Sequence, residues 1–345
     1  MKKTGNTVTF VLKTISMSMG LLASLFFFSL GTTHAQTQLP TSTGEMTRPK
    51  PGMNADQLMQ VFFHVKYSKD SKDYESQGGT QLISKNGLKR NRGFRRFRMI
   101  LNRTKDDIDY KDIVTFTSPE NVRGLSVLSW TYLTPGRDQE VWLWLPSLRK
   151  IRRISQNEGD DSFLGTDFTY EEVVYRKWGD ETYTMVGEEK FPGQKSIHTG
   201  ETYYKDTPCY VIEARPKKED WYYSKRTVHL EKDTAFRILD SYYDQTGRNQ
   251  KTIFIQWKPI EGSKLDMEWL LEVADLRGGH STVIDLNKVE FDTGLSERFF
   301  TERTLMRTKW KTMDLISRHT KKAPYYKWAY LINYIFDWPS FRHRG

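Results

Sequence analysis

The chain has 345 residues, a formal net charge of +10, a hydrophobic content of 37%, an aromatic content of 14% and a single cysteine. This hydrophobic content argues against an intrinsically disordered chain, and one cysteine excludes an intramolecular disulfide framework. The surplus positive charge lies at the two ends of the chain, so residues 36–306 are close to neutral, which argues against a nucleic-acid-binding body.

Residues 1–35 have the pattern of a secretory signal peptide. Basic residues, Lys2 and Lys3 first, precede the apolar run at residues 21–30, and Ala35 is a small residue before a cleavage site. The alternative is an uncleaved membrane anchor, because residues 15–30 are almost long enough to span a bilayer. We expect cleavage, and therefore a periplasmic protein with scope for membrane association.

A linker and one helix follow the signal peptide. Residues 36–53 are rich in Thr, Pro and Gly, which is typical of a linker. Asn54 is a candidate N-cap, and Leu58, Val61, Phe62 and Val65 recur at helical spacing. The sequence therefore predicts a helix after residue 54, followed over residues 67–91 by a mostly irregular stretch with a short helical or strand piece.

From about residue 94 onward the pattern is almost entirely that of β-strands. Short apolar or alternating stretches are separated by turn signals such as Thr246-Gly247 and Glu261-Gly262. Strands connected this closely, without crossover helices, are antiparallel. We expect one mainly β domain over residues 54–306, with about ten or eleven strands in one large sheet that curls or closes.

One strand, residues 141–145, is apolar on both faces. Val141, Leu143 and Leu145 share one face, and Trp142 and Trp144 share the other. A strand of this kind requires cover on both sides.

The chain becomes cationic directly after this strand, at Arg149, Lys150, Arg152 and Arg153. One interpretation is a charged edge strand, with acids among residues 160–172 as its partners. The other is that Arg149, Arg152 and Arg153 contact an anionic headgroup or an acidic partner. We favour the first interpretation.

The C-terminal tail, residues 307–345, is basic and aromatic. It holds nine Lys or Arg residues against two Asp. Trp328, Leu331, Ile335 and Trp338 share a face at helical spacing, and aromatic residues flanked by basic ones are typical of interfacial membrane segments. Membrane contact through Trp328, Tyr330 and Trp338 is one hypothesis, and a helix that covers the sheet is the other.

Catalytic and metal-binding motifs are absent from the sequence. The seven histidines are scattered, and there is no G-x-S-x-G elbow, P-loop or dinucleotide fingerprint. The acid pairs Asp160-Asp161 and Glu171-Glu172 are expected to be solvated, and Cys209 is expected to be a core residue. We expect no enzyme activity, no metal and no cofactor; a hydrolase assembled from distant residues is the weakest hypothesis.

The order "PSLRKIRRIS" then "FLGTDFTYEE" (residues 146–155 and 163–172) carries a family resemblance. It resembles the LolA-like family of outer membrane lipoprotein-sorting proteins, in a branch often encoded beside RND/MMPL-type exporters in Gram-negative bacteria. The stretches at residues 116–132 and 288–305 support the match, which covers roughly residues 54–307. The basic aromatic tail is longer than the family needs, and no catalytic or ligand residue can be carried over.

The resemblance implies a LolA/LppX-like curved, unclosed antiparallel half-barrel with a helical lid and a hollow that binds acyl chains. The hollow would be apolar with polar groups at its rim. Its expected ligand-binding residues are Val141, Trp142, Leu143, Trp144, Leu145, Phe163 and Phe168. The implied function is a periplasmic carrier of lipid or lipoprotein acyl chains towards the outer membrane. The alternative is an accessory or adaptor protein of an RND/MMPL-type exporter, or a membrane-docked structural protein, with a hollow filled by its own side chains.

Overall fold

A computed structural model describes residues 48–134 and 137–307. The chain divides into the units Met1–Thr41 and Ser42–Gly345, and every described residue belongs to the second. The predictions for the signal peptide, for most of the linker, and for Trp328, Tyr330 and Trp338 in the tail lie outside the described residues.

The described chain contains two α-helices, four short 3-10 helices, one π-helical turn (Glu171–Tyr175) and fifteen strands. The α-helices are α1 (Ala55–Lys66) and α2 (Glu302–Leu305). The strands in the first half are β1 (Asp73–Ile83), β2 (Lys89–Arg103), β3 (Ile108–Ser118), β4 (Ser126–Tyr132), β5 (Glu140–Leu145), β6 (Lys150–Ile154) and β7 (Glu181–Lys190). Those in the second half are β8 (Gln194–Lys195), β9 (Thr202–Tyr203), β10 (Pro208–Pro216), β11 (Lys225–Glu231), β12 (Arg237–Tyr243), β13 (Asn249–Pro259), β14 (Asp266–Asp275) and β15 (Ser281–Phe291).

Thirteen of the strands form one antiparallel sheet, in the order β6-β5-β4-β3-β2-β1-β15-β14-β13-β12-β11-β10-β7. Two meanders, β1 to β6 and β10 to β15, are joined where β1 pairs with β15. The sheet is unclosed, because β6 and β7 end it on opposite sides. The mainly β, antiparallel half-barrel is thus confirmed, with more strands than the predicted ten or eleven.

The two additional strands of the sheet are β1 and β7. β1 lies in the stretch predicted to be mostly irregular, and it contains Gly78 and Gly79. Gly78 is needed at the irregularity in the β1–β15 register, because a Cβ there would lie 2.4 Å from the carbonyl oxygen of Asp285. β7 is an edge strand with mostly exposed side chains and little apolar signal.

Helix α1 begins where the sequence predicts it. The Asn54 side chain accepts a hydrogen bond from Gln57 N (2.9 Å), and the Gln57 side chain accepts one from Asn54 N (3.0 Å). The buried face of α1, including Leu58 and Phe62, packs with residues of β10 and β11. α1 is therefore the helix that covers one part of the sheet.

The sheet is strongly curved. Val141 and Leu143 of β5 share one buried cluster with Tyr242 of β12 and Ile253 of β13, although these strands are far apart in the sheet order. Only a sheet that bends around this cluster brings such strands together. The concave side therefore holds the main core.

The convex side of β2 to β5 is covered by the segment 295–305. Phe300 and Leu305 pack with Trp142 and Trp144, and Trp130 Nε1 donates a hydrogen bond to the carbonyl oxygen of Phe300 (3.1 Å). The two tryptophans of β5 therefore have their cover on the side opposite Val141 and Leu143.

The acidic partners of the basic strand β6 differ from those predicted. Arg152 pairs with Glu158 and Arg153 with Glu140, each at 2.6 Å, rather than with acids among residues 160–172. The prediction that Glu171-Glu172 is solvated is also wrong, because both carboxylates are buried. They face the concave side of the sheet, where basic side chains lie close to them.

Candidate functional site

A cavity of about 120 Å³ lies on the concave side of the sheet. Its walls come from β1, β2 and β3 on one side and from β12 to β15 on the other, with the C-terminal end of α1 above them. The remaining wall is residues 159–176, which we call the closing segment. The apolar part of the lining includes Phe94, Phe116, Phe163, Phe168, Ile284 and Leu286.

The closing segment is folded back on itself. Phe163 N donates to the carbonyl oxygen of Phe168 (2.7 Å), and Glu171 N donates to that of Gly159 (2.7 Å). The Thr166 hydroxyl donates to the carbonyl oxygen of Phe163 (2.7 Å). This turn brings the rings of Phe163 and Phe168 to the cavity wall together.

Side chains of the sheet hold the closing segment in place. Thr282 Oγ1 donates to the Asp167 carboxylate (2.7 Å), which also pairs with His280. Glu172 forms an ion pair with Lys251 of β13 at 2.8 Å. Burial raises the pKa of Glu172, but the attraction of Lys251 and Arg176, together with hydrogen bonds, outweighs it, so the pKa lies below its usual value.

A buried ionic network lies beneath the closing segment. Arg226 donates two hydrogen bonds to Glu181 (2.7 and 2.6 Å), and Tyr223 donates a third to the same carboxylate (2.9 Å). Burial raises the pKa of Glu181, but the attraction of Arg226 and Arg176 and the hydrogen bonds from Arg226 and Tyr223 together outweigh it and bring the pKa to about 2. Buried charges of this kind require partners, and here the partners tie β7 to β11.

A second buried ionic group holds the end of α1 against the sheet. Arg98 lies 2.7 Å from Asp112, which also pairs with Arg96. The Arg98 guanidinium is 4.3 Å from the ring centroid of Tyr110 and 5.1 Å from that of Tyr67. Burial raises the pKa of Asp112, and the two arginines more than offset that, so the pKa is lowered.

α1 and the closing segment are joined directly. The Tyr67 hydroxyl, just after α1, donates to the carbonyl oxygen of Arg176 (2.7 Å). Arg176 Nε in turn donates to Glu171 (2.9 Å). The two elements that cover the cavity are therefore linked to each other as well as to the sheet.

The structure separates the expected ligand-binding residues into three groups. Phe163 and Phe168 line the cavity. Val141 and Leu143 lie in the concave core cluster that includes both phenylalanines, and Leu145 is half-buried against it. Trp142 and Trp144 lie on the convex side under the segment 295–305. The expected headgroup residues Arg149, Arg152 and Arg153 are exposed and do not line the cavity.

Polar residues of the lining were missed by the sequence interpretation. They are Lys66, Arg96, Arg98, Glu172, Arg237 and Glu268. A visible signal exists for two of them, since Arg96 and Arg98 alternate with the apolar Phe97 and Met99 along β2. Such alternation indicates one face of arginines and one apolar face.

Within residues 48–134 and 137–307, no group of His, Cys, Asp and Glu is arranged to hold a metal ion. No helix in this part of the chain combines the length and apolarity needed to cross a membrane. Cys209 is buried, and this burial raises the pKa of its thiol to about 12. A thiol with such a pKa is an unreactive core residue at neutral pH.

Solved structures of other proteins have a similar architecture. A domain described as outer membrane lipoprotein-sorting, from Vibrio parahaemolyticus, is 22% identical, with a TM-score of 0.61 over 73% of this chain and 98% of that chain. A DUF1329 family protein from Desulfovibrio piger is 25% identical, with a TM-score of 0.59 over 71% of this chain and 98% of that chain. A LolA superfamily protein from Nitrosomonas europaea is 16% identical, with a TM-score of 0.52 over 73% and 99% of the two chains.

A comparison with curated protein sequences finds no match. A family model described only as an uncharacterized protein matches residues 109–307, which is more than half of the chain. The matched region contains the closing segment and most strands of the sheet. The chain therefore belongs to this LolA-like family of uncharacterized proteins, DUF1329.

Proposed function

We propose that the protein is a non-catalytic carrier that holds acyl chains of lipids or lipoproteins in the cavity beneath α1 and the closing segment. The observation that carries the proposal is the aromatic and aliphatic lining of that cavity, enclosed by elements outside the sheet. Burial of acyl chains supplies the binding energy, at about 0.8 kcal/mol for each CH₂ group. No covalent step is needed.

The size of the cavity indicates that loading requires opening. Its volume of about 120 Å³ is smaller than the roughly 300–1,000 Å³ of ordinary ligand pockets. The closing segment is the element proposed to move, because in the described part of the chain it shares no backbone-to-backbone hydrogen bonds with the sheet and is held to it by side-chain contacts such as Glu172–Lys251. Val141 and Leu143 lie in the core cluster beside it, and we propose that they join the lining in the open state.

The proposed setting is the periplasm, with transport towards the outer membrane. The support is the signal-peptide pattern of residues 1–35 and the description of the Vibrio domain as lipoprotein-sorting. The basic tail, residues 307–345, is the proposed membrane contact. We keep an exporter adaptor of the RND/MMPL type as the alternative, because a cavity this small is also what a hollow filled by its own side chains would leave.

Native mass spectrometry of the protein purified from cells, with lipid extraction in parallel, tests the proposal. We expect an acyl-bearing adduct that is lost on denaturation. A bare mass, together with no uptake of a fluorescent fatty acid or lipopeptide, would overturn the carrier function and favour the adaptor. Deletion of residues 307–345 should weaken membrane association and leave acyl binding intact.

A matched pair of variants locates the site. Ile284→Trp adds bulk to the cavity lining, whereas Leu276→Trp adds the same bulk at an exposed position. We expect the first to reduce acyl uptake and the second to leave it unchanged, with both proteins folded by circular dichroism. Equal uptake by both variants would place the acyl site elsewhere.

A further inference from the structure

The cavity lining is apolar in area but positively charged. Four of its side chains are basic, and two are acidic. The basic ones are Lys66, Arg96, Arg98 and Arg237, and the acidic ones are Glu172 and Glu268. A cavity that only held neutral chains would gain nothing from these charges, because burying a charge is costly unless it has a partner.

Most of these charges have partners within the protein. Arg237 contacts Asp240 at 2.8 Å and Glu268 at 3.0 Å, and Glu172 contacts Lys251. Arg96 and Arg98 have only one carboxylate between them, Asp112. The arginine side of the cavity therefore keeps an excess of positive charge.

Lys66 differs from the other basic side chains of the lining. In the described part of the chain no carboxylate lies within 4 Å of its ammonium group, whose neighbours are aromatic rings instead. The distances from Lys66 Nζ to the ring centroids of Phe62, Phe63 and Tyr67 are 6.0, 5.7 and 5.0 Å. The Arg237 guanidinium lies 5.3 Å from the centroid of the same Phe62 ring. Two cationic groups therefore lie close to one aromatic ring.

The surroundings of Lys66 leave the charged form of its side chain without a counter-charge. Burial and the neighbouring Arg237 lower its pKa to about 7, against a smaller opposite effect of Glu268. Its position as the last residue of α1 favours the charged form, because the C-terminal end of a helix is negatively polarised. An anionic group entering the cavity would supply the counter-charge that the protein does not.

We propose that Lys66 binds the anionic group, a phosphate or a carboxylate, of an acyl-chain ligand whose chain lies among the aromatic side chains of the same cavity. The inference rests on the proposed carrier function and narrows its ligand class to anionic amphiphiles. Arg237 and the Arg96–Arg98 pair add positive potential around the group that Lys66 holds.

The test compares dodecanoate with dodecanol, which have equal chain length and differ in charge. Binding is measured by displacement of phenylnaphthylamine, a neutral apolar fluorophore, from the full protein. We expect wild type to bind dodecanoate at least about tenfold more tightly than dodecanol, the scale of one charge-assisted hydrogen bond. Lys66→Met should bring the two affinities to within about twofold, with dodecanol affinity unchanged.

Lys258→Met is the matched control. Lys258 also lies over an aromatic ring, that of Trp269 at 4.1 Å, but it is exposed and outside the cavity. We expect this variant to keep the wild-type preference for dodecanoate. A preference lost equally in both variants would contradict the assignment to Lys66.

The other outcomes separate this inference from the function on which it rests. Equal affinity of wild type for dodecanoate and dodecanol would overturn the anion site and leave the carrier function standing. Binding of neither would overturn the carrier function itself. Binding of inorganic phosphate tests one further possibility. Saturable, Lys66-dependent binding of phosphate that an attached acyl chain does not strengthen would show that the site binds a free anion. It would overturn the proposal that the ligand is an amphiphile.

Discussion

The carboxylate of Glu172 and the ammonium group of Lys251 lie 2.8 Å apart and join the closing segment to strand β13. Both groups have further partners. Glu172 accepts hydrogen bonds from Thr169 N (2.9 Å) and from the Tyr222 hydroxyl (3.1 Å). Lys251 lies 5.3 Å from the ring centroid of Tyr242. The pair is therefore buried and oriented, and it fixes one side of the cavity cover.

Removal of one partner should release the closing segment. Lys251→Met leaves the Glu172 carboxylate buried without its cation, and breaking such a pair costs about 3–5 kcal/mol. We expect a lower free energy of unfolding in urea and faster hydrogen exchange over residues 159–176. Arg248→Met is the control, because Arg248 pairs with Asp244 on the exposed surface, where a pair contributes about 1 kcal/mol or less. Equal effects of the two substitutions would show that the pair does not hold the segment.

The segment 295–305 should stabilise the convex side of the sheet. Phe300 is fully buried against the β5 tryptophans, and truncation of a buried phenylalanine costs about 3–5 kcal/mol. We expect Phe300→Ala to lower the free energy of unfolding by that amount and to redshift tryptophan emission. Met306→Ala removes a side chain that is 51% exposed and should change stability by less than about 0.5 kcal/mol. A wild-type melting curve for Phe300→Ala would contradict the packing described above.

Acid should weaken the network beneath the closing segment. The pKa of Glu181 is about 2 in the folded protein, below its ordinary value of 4.5, because its cationic neighbours and hydrogen bonds together outweigh burial. Its stabilisation is therefore complete above pH 4.5 and is lost as the pH falls towards 2, by roughly 3 kcal/mol. Urea unfolding across this range should show the loss, and Glu181→Gln should show a smaller one from a lower starting stability. An identical pH dependence of the two proteins would exclude Glu181 as the titrating group.

Lys66 should limit stability at low pH in the empty protein. Its pKa is about 7 in the folded state and 10.5 as the ordinary value, so the unfolded state binds the extra proton between these limits. Stability from this group is full above pH 10.5 and is lost as the pH falls through 7. Lys66→Met cannot carry the charge, so we expect it to be more stable than wild type at pH 6, by at most about 5 kcal/mol, with the difference shrinking towards pH 10. A less stable variant at pH 6 would mean that the ammonium group already has a partner.

The fold was largely predictable because alternation along a strand is a local property. The apolar or alternating stretches from about residue 94 onward led to an expectation of ten or eleven strands, and thirteen strands form the sheet. β1 was missed because Gly78 and the polar residues around it give no apolar signal, while its place in the sheet depends on pairing with β2 and β15. β7 was missed because an edge strand buries few side chains.

The site was less predictable because it depends on long-range pairing. Glu172 and Lys251 are far apart in sequence, so nothing local shows that this carboxylate is buried and paired. Lys66 is the last residue of the apolar helix α1. A lysine at the C-terminal end of a helix is common in proteins, so its presence there does not indicate a binding site. The packing of α1 on the sheet brings Lys66 to the same cavity as Arg237.

The pairing of β1 with β15 has a consequence for how the chain reaches this structure. Every other neighbouring pair in the sheet joins strands close in sequence, so both meanders can form from nearby contacts. The β1–β15 pairing brings together residues such as Tyr74 and Phe291, near opposite ends of the described chain. Since β15 is the last of the described strands, the edge of β1 stays unpaired in folding until the C-terminal meander is in place. During that interval the unpaired edge of β1 is open to pairing with another chain, which is the route to aggregation that the β1–β15 pairing removes.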